Sequence, residues 1–101
     1  MNDRVAPYLR DGDTLRRTAV IANQRGLHAR AAAKFVRLAA GFDAETTVSK
    51  RGITVSGRSI LGLMMLAAGP GTELEITAKG REAEEAIEVL ANIIEAGFEE
   101  D

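Results

Sequence analysis

Residues 23–41 read NQRGLHARAAAKFVRLAAG, and the change of pattern inside this stretch decides the fold. Asn23-Gln24-Arg25-Gly26 is polar and ends in glycine, the composition of a loop. From His28 to Ala40 alanine, the strongest helix former, dominates, and Ala32, Phe35, Val36 and Ala39 recur at i, i+3, i+4 and i+7. The stretch therefore reads as a loop feeding an amphipathic helix, with Gly41 where a left-handed C-cap belongs. His28 falls at the junction.

Working outward, Thr14 to Ala22 offers Leu15, Ala19 and Ile21 at period two, a half-buried strand. Residues 1–13 carry no sustained period and are expected to be a flexible arm, with Asp11-Gly12-Asp13 as its boundary. Downstream, Ala44 to Ser49 and Ile53 to Gly57 form two strands joined by a hairpin loop at Lys50-Arg51-Gly52. Ser59 to Ala67 is too apolar for a surface loop. Leu61, Met64 and Met65 at i, i+3 and i+4 favour a short helix capped by Ser59 over a buried strand. Thr72 to Ala78 alternates as a strand with Leu74, Ile76 and Ala78 inward. Arg81 to Ala96 is a helix whose buried stripe is Ala83, Ala86, Ile87, Leu90, Ile93 and Ile94. Glu82, Glu84 and Glu85 load its first turn, where the helix dipole favours negative charge. The order βαββαβα implies an α+β two-layer sandwich, a four-stranded antiparallel sheet with helices on one face. One domain spans residues 14–98, and the acidic tail 99–101 is expected to be solvated and unstructured.

The 101 residues include no cysteine, no tryptophan and one histidine. These counts exclude a disulfide framework, Cys-ligated metal, a thiol nucleophile and a multi-histidine metal site. No metal and no cofactor are expected. Thirteen basic and fifteen acidic residues leave a formal net charge of −2, which gives no push toward nucleic acid or acidic lipid. Arg16, Arg17, Arg25, Arg30, Lys34 and Arg37 do not offset the acidic total, and aromatic platforms are missing. No apolar run reaches membrane-spanning length or resembles a signal peptide. A cytoplasmic protein is the expectation.

Chemistry that needs a ring nitrogen must pass through His28. A helix N-terminus leaves backbone N–H groups unpartnered, and these bind anions, phosphate above all. Here an imidazole stands at that position with the Arg30 guanidinium two residues on, able to make charge-assisted bonds to phosphate oxygens. The helix terminus and Arg30 both disfavour a charged ring and so favour the nucleophilic form. The parts suit a histidine that accepts, holds and releases a phosphoryl group, with the Ala29 and Arg30 amides and the Arg30 side chain stabilising it. The plainer alternative is that His28 is a helix cap or a solvated side chain. Gly26 lets the loop turn tightly.

NQRGLHARAAAKFV at residues 23–36, followed in order by RSILGLMML and TELEITAKG, resembles HPr, the histidine-containing phosphocarrier family of the phosphoenolpyruvate-dependent phosphotransferase system. The resemblance covers residues 14–96. It implies the open-faced βαββαβα sandwich and a phosphoryl group carried on Nδ1 of His28. That group comes from enzyme I and goes to an enzyme IIA, with Arg30 as the phosphate-binding neighbour. Such a protein is a phosphoryl-transfer intermediate rather than a turnover enzyme, and it is expected to be monomeric. Ser59 aligns with the serine that an HPr kinase/phosphorylase modifies in some members; it also serves simply as a cap. Leu61, Met64 and Met65 are expected at a docking face ringed by Lys34 and Arg37, the alternatives being core and solvated helix surface. The family commonly has proline after the arginine. Ala31 stands there instead, which frees Arg30 to be helical and lets the first helix begin earlier. Ala31, KFV and SILGLMMLAA look like the nitrogen-type, regulatory branch. The competing function is a small ferredoxin-like regulatory or ligand-sensing domain.

Overall fold

The computed structural model describes residues 8–100. Strand β1 (Leu9–Asp11) pairs antiparallel with β2 (Thr14–Val20), Leu9 opposite Arg16 and Asp11 opposite Thr14. This corrects the expected arm. Asp11-Gly12-Asp13 is not a boundary but the corner of a hairpin, with Gly12 at φ +65°, the left-handed backbone that such a corner needs. The rest of the expected arm, residues 1–7, lies outside the described residues.

Helix α1 (Ala29–Ala40) follows, then β3 (Glu45–Lys50) and β4 (Ile53–Ser56), helix α2 (Ile60–Met65), β5 (Glu73–Lys79) and helix α3 (Ala83–Glu95). A 3-10 turn, Gly97–Glu99, is the last regular element among the described residues. The five strands lie in the order β1-β2-β5-β3-β4, every pair antiparallel. The expected four-stranded sheet is present as β2 to β5, and β1 adds a fifth strand at its edge. Arg51 and Gly52, both with positive φ, turn the β3–β4 hairpin.

The alternating residues of the sheet bury the side that meets the helices. Leu15 and Ala19 of β2, Val48 of β3 and Leu74, Ile76 and Ala78 of β5 are buried against Phe35, Ile87, Leu90 and Ile94 of the helices. Burying one such large aliphatic or aromatic side chain stabilises the fold by about 1.5–3 kcal/mol. Helix α3 runs across β2 and β5, while α1 packs on α2 and α3. The start of α1 lies beside residues 98–100. Gly41 departs from its expected left-handed form: its φ of −80° and ψ of −3° are right-handed. The last turn of α1 tightens into i→i+3 bonds, Gly41 N–H to Leu38 and Phe42 N–H to Ala39, so no left-handed residue is required. Among the described residues no helix is long and apolar enough to cross a membrane.

Candidate functional site

The loop before α1 is shaped by two tight constraints. Gly26 has φ +65°, and a Cβ there would stand 2.2 Å from the Ala68 carbonyl oxygen and 2.9 Å from Gly69 Cα. The next residue, Leu27, donates its N–H to that same Ala68 carbonyl at 2.9 Å. Only glycine combines the left-handed backbone with so close an approach. Inside the loop, Asn23 is buried, and its Nδ2 donates to Gly26 O at 2.9 Å. The loop is thus clamped to the segment after α2 and to itself, and it delivers His28 to a defined place.

His28 is the N-cap of α1, with extended backbone (φ −76°, ψ −179°). Its Nδ1 accepts the Arg30 N–H at 3.2 Å, the side-chain-to-backbone bond that satisfies one of the helix's orphan donors. A backbone N–H can only donate, so Nδ1 carries a lone pair. The ring proton therefore sits on Nε2, which donates to Glu100 Oε2 at 2.6 Å. The His28 side chain is 15% exposed. Helix cap and candidate nucleophile, posed as alternatives from the residues, are here one and the same atom.

Arg30 is exposed in the first turn, and among the described residues no ion pair engages its guanidinium. The Arg30 amide, expected to be free for an anion, instead points at Nδ1; a capping side chain competes for the same orphan donor. Ala29 is exposed beside it. With alanine at position 31, itself buried, Arg30 is helical and α1 begins at Ala29.

Ser59 caps α2, its Oγ accepting the Gly62 N–H at 2.8 Å. Leu63 turns into the core, while Leu61, Met64 and Met65 are exposed, Met65 by 74%. Arg37 is exposed in the last turn of α1. Lys34 is tied to the last described residues. Its Nζ donates to Phe98 O at 3.2 Å and to Glu99 Oε1 at 3.1 Å, because the chain end lies alongside α1.

The chain end is the largest correction. The tail expected to be solvated starts from a buried anchor, Phe98, 2% exposed, and Glu99 and Glu100 are held against α1 and the loop; Asp101 lies outside the described residues. Asn23 Nδ2 donates to Glu100 Oε1 at 3.1 Å, so the carboxylate spans Asn23 and His28. Partial burial pushes the Glu100 carboxyl up. The hydrogen bonds from His28 and Asn23, with the favourable electrostatics of His28 and Arg25, outweigh that and hold it below its ordinary value. Asn23 and Glu100 were missed from the residues alone; an aromatic two positions before an acidic end was the available signal.

The chain matches the model described as "PTS HPr component phosphorylation site" over residues 15–96. The chain belongs to the HPr family. A phosphocarrier protein HPr of Neisseria meningitidis serogroup A is 43% identical over 86 residues, 85% of this chain and 97% of that one. The phosphocarrier protein NPr of Shewanella violacea is 41% identical over 86 residues, 85% of this chain and 94% of that one. A crystal structure of HPr from Thermoanaerobacter tengcongensis superposes with a TM-score of 0.80 at 40% identity, covering 85% of this chain and 97% of that chain. The HPr fold that the resemblance implies is therefore the fold observed, and the ferredoxin-like sensing alternative is not favoured.

Proposed function

We propose that this chain is a phosphocarrier of the phosphotransferase system and that it carries the phosphoryl group on Nδ1 of His28. The observation that carries this reading is the cap: the one histidine presents a lone pair on Nδ1 at a helix N-terminus, with its proton committed to Nε2. The Nδ1 lone pair attacks phosphorus in line. The new N–P bond forms as the bond from phosphorus to the donor breaks, and the donor keeps that electron pair. No proton has to move, because the ring proton stays on Nε2. Catalysis here is positioning and charge stabilisation.

The bond from the Arg30 N–H to Nδ1 is given up when the lone pair becomes the N–P bond. The same N–H is then free to turn to a phosphoryl oxygen, so the amide is partnered in both states. The Arg30 guanidinium, outside every ion pair among the described residues, is the second donor, and Ala29 contributes its amide. Enzyme I is the proposed donor and an enzyme IIA the acceptor, both cytoplasmic, with this chain acting as a monomer. Exposed Leu61, Met64 and Met65, with Arg37, form the docking face. Flexible methionines suit a surface that fits two partners in turn. The resemblance around Ala31 and SILGLMMLAA favours a nitrogen-type, regulatory output. Ser59 is assigned to modification by an HPr kinase/phosphorylase, since a phosphate at that cap is electrostatically favoured.

The test is labelling. With enzyme I, phosphoenolpyruvate and Mg²⁺, the chain gains one acid-labile, base-stable phosphoryl group, and His28→Ala gains none. Equal labelling of the variant overturns the assignment.

A further inference from the structure

Three left-handed residues in a row lead to the end of the described chain: Gly97 at φ +64°, Phe98 at +56° and Glu99 at +61°. Left-handed backbone is uncommon for residues other than glycine, and two such residues together persist only where the surroundings over-determine them. Here the surroundings do. Phe98 is buried in the core, Lys34 bonds Phe98 O and Glu99 Oε1, and the site Gly97 leaves open for a Cβ lies 3.4 Å from Asn23 Cβ. The product of this turn is the placement of one carboxylate. Glu100 Oε1 meets Asn23 Nδ2 and Glu100 Oε2 meets His28 Nε2, the latter bond at 2.6 Å, short for an N–H···O contact. Asn23 is in turn oriented by Gly26 O; its Nδ2 serves two acceptors, while its buried Oδ1 has no partner among the described residues.

We propose that Glu100 is a positioning residue for phosphoryl transfer: its carboxylate keeps the proton on Nε2 of His28 so that Nδ1 offers its lone pair, and it balances the positive ring formed once Nδ1 is phosphorylated. The inference rests on the reading of His28 as acceptor. Its first half follows from hydrogen-bond valence. A neutral imidazole has one donor and one acceptor, and an acceptor fixed at Nε2 selects the tautomer. The second half follows from charge. A ring that keeps its Nε2 proton and gains phosphorus on Nδ1 is formally cationic, and a carboxylate at Nε2 stabilises that state more than the neutral one. A carboxylate behind a histidine plays this orienting and charge-balancing part in hydrolase triads and metal sites as well. Helix α1 supplies the anion-binding side of the site, and the chain end supplies the group that holds the ring.

The experiment uses the full chain with ¹⁵N-labelled histidine, as wild type, Glu100→Gln and Glu100→Ala. Before any phosphorylation, the wild-type ring gives the Nε2–H tautomer with a protected Nε2 proton. Glu100→Gln keeps that tautomer through its amide oxygen, and Glu100→Ala admits the Nδ1–H form and loses the protected proton. Thermal midpoints of all three are compared so that a folding defect is seen as such. With enzyme I and phosphoenolpyruvate, both variants then accept the group on the order of tenfold more slowly, the usual scale for removing a group that orients a histidine. Glu100→Gln separates charge from tautomer. Identical ring spectra in wild type and Glu100→Ala, or variants that accept the group as fast as wild type or faster, overturn the proposal. Labelled wild type with unaffected variants removes Glu100 alone; unlabelled wild type removes the acceptor reading and this inference together.

Discussion

Replacing Gly26 by alanine tests whether the loop that presents His28 is as tightly constrained as its contacts imply. The backbone there is left-handed, φ +65°, which costs an L-residue roughly 1–2 kcal/mol. The new Cβ would also stand 2.2 Å from Ala68 O, more than 1 Å inside ordinary contact, and the obstacle is backbone held by the Leu27 N–H rather than a movable side-chain end. Forcing a methyl into packed structure adds about 1–3 kcal/mol. The expected loss is therefore roughly 2–5 kcal/mol, and for a domain of this size even 2 kcal/mol lowers the midpoint by about 8–16 °C. Gly12 supplies the control: it has the same φ of +65°, with nothing within 4 Å of its Cβ position. Gly12→Ala carries the backbone cost alone. Urea and thermal unfolding of the two variants, followed by circular dichroism, measure the difference. Gly26→Ala must be the less stable by at least about 1 kcal/mol; equal losses refute the close approach between this loop and the segment after α2.

Arg30→Ala leaves the fold intact, since the side chain is exposed and, among the described residues, outside the ion pairs, but removes a charge-assisted bond worth about 1.5–3 kcal/mol, slowing transfer from enzyme I by about 10- to 100-fold. Rapid-quench labelling measures it, and an unchanged rate takes Arg30 out of the mechanism. Ser59→Ala deletes the cap on Gly62 N–H and costs about 0.5–2 kcal/mol in urea unfolding, with His28 labelling retained. The Glu100 carboxyl is held below its ordinary 4.5 in the folded chain, so its contact contributes fully above pH 4.5 and is lost as pH falls through the lowered value. The groups facing it are His28 and Arg25, with Lys34 bonded to the adjacent Glu99. The stability difference between wild type and Glu100→Ala accordingly closes in acid; a difference that persists there contradicts the linkage.

The parts of the fold with a long period were legible in the sequence. Ala32, Phe35 and Ala39 mark the buried stripe of α1, Ala83 to Ile94 that of α3, and Leu74, Ile76 and Ala78 the inward side of β5, because repeated burial on one face leaves a repeated pattern. Strand β1 was not legible, since three residues carry no period and Asp11-Gly12-Asp13 reads equally as a boundary or as a hairpin corner. His28 was legible as the candidate site because the loop-to-helix change falls on the one imidazole. Glu100 and Asn23 were not, because their meeting depends on a distant contact, Phe98 entering the core, and on a left-handed turn that no local preference encodes. For the same reason the acidic end looked solvated, and the bonds from Lys34 to Phe98 and Glu99 were not foreseen.

Nδ1 of His28 is the atom proposed to carry the phosphoryl group. A ¹⁵N–³¹P correlation spectrum of the chain, labelled on histidine and phosphorylated by enzyme I, locates the N–P bond. Coupling of phosphorus to Nδ1 of His28, with the proton still on Nε2, is the predicted result; coupling to Nε2, or a phosphoryl group with no nitrogen partner, contradicts it.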